Sequence, residues 1–170
     1  YLIERQGAVI MRERLIRKGK AKWKGTIHER CECSGTIVNC PQIQVFHRDH
    51  KYKREASAAR NAALLSSALE DAARNAFYQH AELKMLGQTE ASIRYAKIAL
   101  AALTSDQTEE RYLTIINLAQ LEPERREAHL LNALRVQPHR REALAYLCQH
   151  ALAEGNASDA TSYFRMLDAL

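Results

Sequence analysis

The chain lacks the short motifs that identify several large enzyme classes. It has no glycine-rich phosphate loop, no dinucleotide-binding glycine fingerprint and no serine nucleophile elbow. Its opening segment, residues 1–7, does not have the architecture of a signal peptide, and no apolar run is long enough to span a bilayer. P-loop nucleotidases, Rossmann dehydrogenases, α/β-hydrolases and membrane-spanning proteins are therefore not indicated.

Cysteine is scarce, and its spacing predicts neither a disulfide framework nor a zinc site. A chain of 170 residues with 46% hydrophobic content can bury a core without disulfides, so four cysteines fit a cytoplasmic setting. Structural zinc sites usually present two closely spaced ligand pairs. The candidates here do not: His28, Cys31, Cys33, Cys40, His47 and His50. On a strand, Cys31 and Cys33 would share one face, and we expect buried, unreactive cysteines.

Positive charge is concentrated in the N-terminal third of the chain. Residues 1–60 hold 14 Lys/Arg and 6 Asp/Glu, a net charge of +8, whereas residues 61–170 hold 11 and 14, a net charge of −3. One stretch alternates cations with apolar residues: Arg12, Arg14, Arg17, Lys18, Lys20, Lys22 and Lys24. On an extended strand several of these cations would point one way, toward a nucleotide phosphate, a nucleic acid or another anionic surface. The pattern equally fits a solvated edge strand that resists aggregation.

The chain divides into a β-rich part and a helical part. Short runs rich in Val, Ile and Thr, interrupted by glycines, predict strands at residues 10–17, 25–33, 36–39 and 42–46. These strands are too few for an independent barrel or sandwich, so we expect them to complete a larger sheet. After residue 52, alanine and leucine at three-and-four spacing predict helices at residues 54–69, 72–86, 89–103, 107–120, 124–136, 140–153 and 157–169. The predicted fold class is mainly α, with antiparallel helix pairs joined by short turns.

A repeat underlies the helical part. Gly87 followed by Ala91 corresponds to Gly155 followed by Ala160, and the two alanines are 69 residues apart. That distance is close to two periods of the roughly 34 residues of a tetratricopeptide repeat. Small residues allow close helix packing, and the aromatic residue that follows each alanine would fill the space between successive hairpins. The middle copy is degenerate and ends at Pro138, and an ordinary helical bundle with recurring alanines is the alternative.

Residues 23–29, with the sequence WKGTIHE, carry the most distinctive chemistry. Trp23 is the only tryptophan, and His28 beside Glu29 joins a group that titrates near neutrality to a carboxylate. Such a pair suits proton transfer or metal ligation. His47 follows an apolar run and is expected at a strand end, where it could ligate a divalent cation. The alternatives are a short strand with His28 and Glu29 on opposite faces and Trp23 in the core, and a surface loop at His47.

The order of these features resembles the C-terminal half of family 2 glycosyltransferases that carry tetratricopeptide-like repeats behind a GT-A catalytic domain. In that family an arginine-flanked apolar strand, as at residues 14–17, leads into a tryptophan or tyrosine, a glycine and a His-Glu pair, as at residues 23–29. Helices begin after a further strand, here the one expected to end at His47. The similarity extends into residues 60–65, 75–79 and 138–144, so it covers nearly the whole chain.

The resemblance implies a reaction and a role for each motif residue. The reaction is transfer of a sugar from a nucleotide-sugar donor to a protein, lipid or saccharide acceptor, with Mg²⁺ or Mn²⁺ holding the diphosphate. Glu29 would be the base or an acceptor-orienting carboxylate, with His28 as the second candidate catalytic residue. Trp23 would form a wall on the acceptor side, and Arg17 would bind the donor phosphates. A carboxylate can accept the proton of the acceptor while a cation neutralises the departing diphosphate.

The resemblance also implies a metal ligand and a domain organisation. His47 would be the metal ligand, although His50 could occupy the same position. The nucleotide-binding half of the family and its DxD motif lie upstream, and neither occurs in this sequence. We therefore interpret residues 1–50 as the C-terminal β segment of a truncated GT-A domain that should be inactive by itself. Residues 51–170 would be a tetratricopeptide-like repeat domain that binds the acceptor, a protein partner or a second copy of the chain.

Two other functions fit parts of the sequence. A non-catalytic tetratricopeptide-like scaffold would bind protein partners through its repeats and an acidic partner through its basic N-terminal segment. A nucleic-acid-binding module built on the +8 segment would show an affinity that falls steeply with added salt.

Overall fold

The protein is mainly helical, as the sequence predicts. The computed structural model describes residues 2–5, 8–11, 16–27, 29–36, 38, 54–68 and 71–170. Within these residues the strands are β1 (Leu2–Arg5), β2 (Ala8–Met11), β3 (Ala21–Lys24) and β4 (Arg30–Cys33). The helices are α1 (Arg54–Ser66), α2 (Ala72–Met85), α3 (Thr89–Ala102), α4 (Thr108–Leu121), α5 (Arg126–Val136), α6 (Arg141–Ala153) and α7 (Ala157–Asp168).

The described strands form two small antiparallel sheets of two strands each. In the first sheet β1 pairs with β2, and Leu2 lies opposite Met11. In the second sheet β3 pairs with β4, and Trp23 lies opposite Cys31. A role for these strands in completing a larger sheet stays a prediction.

The predicted strand 25–33 is only partly correct. Among the described residues of this range, Arg30–Cys33 alone are in a strand, as β4. Gly25 has a φ of +109°, a value that favours glycine, and it ends β3 instead of opening a strand. The sequence pattern does not predict β3. Half of this strand is lysine, and it lacks the Val and Ile residues that favour strands.

The other predicted strands also differ from the structure. The predicted strand 10–17 overlaps β2 at two residues, and Ile16 and Arg17 precede a turn at Gly19, where φ is +79°. In the predicted strand 36–39, the described residues Thr36 and Val38 belong to no strand. The predicted strand 42–46 lies outside the described residues.

The chain forms two compact units, Tyr1–Glu70 and Asp71–Leu170. The first contains the two sheets and α1, and the second contains α2 to α7. The predicted division into residues 1–50 and 51–170 stays a prediction.

Glycine, proline and serine mark the helix ends. Gly87 after α2 and Gly155 after α6 have φ values of +70° and +74°, the left-handed conformation that commonly ends a helix. Pro123 opens a 3-10 turn before α5, so α5 begins at Arg126, later than predicted. α1 ends earlier than predicted, at Ser66, whose hydroxyl donates to the carbonyl oxygen of Ala63 at 2.7 Å.

Two clusters of buried side chains hold the helices of Asp71–Leu170 together. The first joins α2 to α3 and consists of Ala76, Phe77, Ala99 and Leu103. The second joins α4, α5 and α6 and consists of Tyr112, Ile115, Ile116, Ala119, Leu130, Ala133, Ala143 and Leu147. The small side chains of these clusters let helix backbones approach closely. The most extensive helix contacts are those within the pairs α2 and α3, α4 and α5, and α6 and α7.

Tyr112 connects α4 to the start of α6. Its side chain is fully buried, and its hydroxyl accepts the backbone N–H of Ala143 at 3.1 Å. Arg140 precedes α6 and makes no side-chain capping bond, so the Tyr112 hydroxyl satisfies one of the N–H groups that a helix start leaves unpaired. The guanidinium of Arg140 lies 4.6 Å from the centre of the Tyr112 ring and 2.7 Å from a carboxylate oxygen of Glu109.

Replacing Tyr112 by phenylalanine should lower the free energy of unfolding by about 1–2 kcal/mol, because the buried N–H of Ala143 loses its acceptor. Urea denaturation followed by circular dichroism measures the change. Tyr146→Phe is the matched control, since Tyr146 is 38% exposed and its change should stay within about 0.5 kcal/mol. Equal losses in the two variants would contradict the capping role of Tyr112.

Candidate functional site

Two of the sequence-predicted site residues, Trp23 and Glu29, lie on the hairpin formed by β3 and β4. Trp23 lies within β3 and is 54% exposed, and Glu29 is exposed immediately before β4. The alternative that places Trp23 in a core is therefore wrong, because a two-stranded sheet leaves its faces largely uncovered. The hairpin presents an aromatic ring and a carboxylate to solvent within one short segment.

The remaining predicted site residues are only partly described. Arg17 is exposed, and its carbonyl oxygen accepts the N–H of Lys20 at 3.0 Å. His28 and His47 lie outside the described residues, so the pairing of His28 with Glu29 and the metal role of His47 stay predictions. Further candidates outside the described residues are Arg12, Arg14, Cys40 and His50.

The lysines of β3 lie on the face of the hairpin opposite Trp23, because neighbouring strand residues alternate. Lys22 and Lys24 are exposed on this face, and the Lys24 amine lies 2.8 Å from a carboxylate oxygen of Glu32. Exposed ion pairs of this kind contribute about 0–1 kcal/mol. Glu32 therefore moderates the positive charge of the face without removing it, and Lys18 and Lys20 extend the basic surface into the preceding turn.

The cysteines of β4 follow the predicted geometry but not the predicted burial. Cys31 and Cys33 share one face, and their sulfurs are 3.4 Å apart. Cys33 is exposed, so the expectation of buried cysteines is wrong for this residue. Cys148 is half-buried, and its thiol donates to the carbonyl oxygen of Ala160 at 3.5 Å. Among the described residues, no group of three or more His, Cys, Asp and Glu side chains could hold a metal ion.

A groove between α4, α5 and α6 is a second candidate site. Its volume is about 290 Å³, near the lower limit for small-ligand sites. Ile116, Ala119, Leu130 and Ala153 supply apolar surface. Polar groups come from Gln120, Arg126, Tyr146, Gln149 and His150. The groove thus combines an apolar floor with several hydrogen-bonding side chains and at least one cation.

His80 in α2 is a buried titratable group that the sequence did not single out. Its ring is fully buried, and neither ring nitrogen has a hydrogen-bond partner among the described residues. Burial, reinforced by the positive charge of Lys84, lowers the pKa of His80 from 6.5 to about 4. The ring of Phe77 packs edge-on against it at 5.7 Å between centres. His80 is therefore neutral at pH 7 and behaves as a core residue.

Lys84 is the cation nearest His80 along α2, and it joins α2 to α4. Its amine donates hydrogen bonds to the side-chain oxygens of Asn117 and Gln120. Burial lowers the pKa of Lys84 below its usual value. Its partners are neutral amides, so the link between the two helices does not depend on a buried carboxylate.

Neither the groove nor the burial of His80 could be located from sequence spacing. The groove side chains come from three helices. Among them, Tyr146 alone has a spacing that the sequence could have shown, because it lies 34 residues after Tyr112, which is one repeat period. His80 sits in an ordinary alanine-rich helical stretch with no motif around it.

Comparisons of the chain with protein-family models, with curated proteins and with solved structures gave no match. Among the described residues, every helix is too short or too polar to cross a membrane.

Acid should destabilise the protein through His80. Its folded pKa of about 4 lies below the 6.5 of an exposed histidine, so the unfolded state binds more protons between these pH values. The stabilisation by neutral His80 is complete above pH 6.5 and is lost as pH falls toward 4, a change of about 3 kcal/mol. Urea denaturation at several pH values between 7.5 and 4.5 measures most of this change.

His80→Leu should remove most of this pH dependence, whereas His139→Gln, at an exposed turn position, should keep it. The interval above pH 4.5 is chosen because the paired carboxylates of Glu122 and Glu142 have pKa values lowered below 4.5 and titrate later. An unchanged slope in His80→Leu would show that another group causes the acid sensitivity.

Proposed function

We propose that the chain is the C-terminal part of a family 2 glycosyltransferase of the GT-A type, with a tetratricopeptide-like helical unit behind its acceptor-side segment. The observation that carries this proposal is the exposure of Trp23 and Glu29 on one hairpin. Neither side chain contributes to a core, so both are available to line a site. The order of this hairpin and the helices after it agrees with the resemblance of the sequence.

The contacts between α2 and α3 support a helical hairpin of the tetratricopeptide type. Ser92, near the start of α3, donates its hydroxyl to the carbonyl oxygen of His80, in the second half of α2, at 2.8 Å. Leu103, just after α3, clusters with Phe77 in the first half of α2. This order of contacts is that of two helices that run in opposite directions.

Contacts between successive pairs support a stacked arrangement. Arg74 at the start of α2 lies 3.7 Å from Glu110 at the start of α4, and Lys84 near the end of α2 bonds Asn117 in the second half of α4. The Tyr112 hydroxyl likewise connects the first half of α4 to the start of α6. These contacts are the ones expected if the first helices of the three pairs stack side by side, as helical repeats do.

The backbone hydrogen bonds indicate which residues correspond in the different repeats. The N–H of Ser92 donates to the carbonyl oxygen of Gln88, and the N–H of Ala160 donates to that of Asn156 in the same helix position. These positions are 68 residues apart, two periods of about 34. Ser92, which is buried, therefore corresponds to Ala160 better than the half-buried Ala91 does. A second set recurs every 34 residues in the first helix of each pair: Tyr78, Tyr112 and Tyr146.

The proposed chemistry assigns different tasks to the hairpin residues. The Glu29 carboxylate accepts the proton of the acceptor hydroxyl as that oxygen bonds to the sugar. The indole of Trp23 packs against a sugar ring of the acceptor, since an aromatic face offers apolar surface with a defined orientation. Mg²⁺ or Mn²⁺, when bound in such an enzyme, neutralises the charge on the departing diphosphate. The ligand that the resemblance implies for that ion is His47, with His50 as the alternative, and both lie outside the described residues.

Glu29→Gln should lower sugar transfer by about 10²-fold or more, because the amide cannot accept the proton. The assay uses a form of the protein that includes a donor-binding domain, with a panel of nucleotide sugars and Mn²⁺. Binding of the nucleotide sugar should be unchanged. Glu32→Gln is the matched control, since Glu32 is an exposed carboxylate of the same hairpin on the lysine face, and it should transfer at nearly the wild-type rate.

Two results of this assay would distinguish a wrong role for Glu29 from a wrong enzyme class. Normal transfer by Glu29→Gln would remove the role of Glu29 but keep the glycosyltransferase. The absence of transfer and of donor hydrolysis in the unmodified protein, with every nucleotide sugar, would contradict the proposed function itself.

A non-catalytic scaffold is the second candidate, and the groove between α4, α5 and α6 favours it. We infer that such a scaffold would bind an extended peptide with an apolar side chain next to a carboxylate. The apolar side chain would enter between Ile116 and Leu130, and the carboxylate would meet Arg126 at the rim.

Peptides selected from a random phage-displayed library against the chain test the scaffold. Tyr146→Ala should weaken the selected peptides about tenfold, equivalent to about 1.4 kcal/mol, because it removes an aromatic wall of the groove. Phe164→Ala is the matched control, since Phe164 is 58% exposed on α7 and does not line the groove. Equal effects of the two variants, or selected peptides without a carboxylate, would contradict this binding mode.

A further inference from the structure

The sulfurs of Cys31 and Cys33 form a pair that the proposed sugar transfer does not use. The two residues occupy the same face of β4, and their sulfurs are 3.4 Å apart. A disulfide requires about 2.05 Å between sulfurs, so a movement of little more than 1 Å separates this contact from a covalent bond. The pair is therefore placed for oxidation within a single strand.

The neighbouring strand keeps this face accessible. In the register of the sheet, Cys33 lies opposite Ala21 and Cys31 lies opposite Trp23. Cys33, opposite the small side chain of Ala21, is exposed, whereas Cys31 is only partly exposed opposite Trp23. An oxidant can therefore reach Cys33, and the Cys31 sulfur lies next to the Cys33 sulfur.

We propose that Cys31 and Cys33 are a reversible thiol–disulfide site whose oxidant is a low-molecular-weight disulfide such as oxidised glutathione. The Cys33 thiolate attacks one sulfur of the oxidant, forms a mixed disulfide and releases one glutathione thiolate. The Cys31 thiolate then attacks the Cys33 sulfur and releases the second glutathione. Two protein thiols lose two electrons and two protons, which convert one oxidised glutathione into two reduced molecules.

The strand geometry favours a labile bond over a structural one. Alternate residues of a strand are about 6.6 Å apart, close to the upper limit of about 6.8 Å between the Cα atoms of a disulfide. This spacing exceeds the commonest one of about 5.5–6 Å, so closing the bond requires the strand to adjust, and strained disulfides are reduced more easily. The site is thus expected to open again when reduced glutathione is in excess. This inference does not depend on the proposed sugar transfer.

The experiment uses the full chain with Cys40→Ser and Cys148→Ser, which leaves Cys31 and Cys33 as its cysteines. The chain is incubated with oxidised glutathione, denatured, alkylated and weighed by mass spectrometry. The proposal expects a mass lower by two hydrogen atoms, loss of both alkylation sites, and recovery of both after excess reduced glutathione. The fluorescence of Trp23 should fall on oxidation, because the disulfide forms next to the indole.

Adding Cys31→Ser to this chain provides the control. Its remaining Cys33 should keep a glutathione adduct and show little loss of Trp23 fluorescence, because no second thiol can displace the glutathione. A stable glutathione adduct on the two-cysteine chain, or disulfide-linked dimers in place of the internal bond, would overturn the proposal. Disulfide mapping of the unmodified chain gives a second measurement, in which a bond from Cys33 to Cys40 or Cys148 would also overturn it.

Discussion

Close contact between small side chains is the constraint on which the helical unit depends. Ser92, Ala96, Ala99, Ala133 and Ala143 have no exposed surface. Protein interiors are close-packed, so a larger side chain at these positions would force neighbouring helices apart. The bond from the Tyr112 hydroxyl to the backbone of α6 and the bonds from Lys84 to α4 both need the helix spacing that these residues allow.

The two units of the chain place their polar chemistry differently. In Asp71–Leu170, polar groups mainly connect helices, and His80 is kept neutral because its surroundings exclude water. On the β3–β4 hairpin, by contrast, Trp23, Glu29 and Cys33 are exposed. A sheet of two strands cannot bury both faces, so its side chains remain available for ligands and for reaction. This contrast is why the proposed chemistry is assigned to the hairpin and partner binding to the helices.

The helices could be predicted more fully than the site. Their order and approximate bounds follow from alanine and leucine spacing, and Gly87 and Gly155 end α2 and α6 where their lack of a side chain permits a positive φ. The strands are less predictable, because the pattern places Gly25 at the start of a strand whereas it follows the end of β3. For the site, residue types identified Trp23 and Glu29 as candidates, but their exposure depends on how little the hairpin buries.

The sequence by itself determined the helical class, the helix ends at glycine and proline, and the shared face of Cys31 and Cys33. These features arise from neighbours within a few residues, where propensity and strand alternation act directly. Only the tertiary structure decided that Tyr112 caps α6, that His80 is buried without a partner, and that a groove opens between α4, α5 and α6. Each of these depends on groups far apart in the chain, whose meeting is set by packing and not by local pattern.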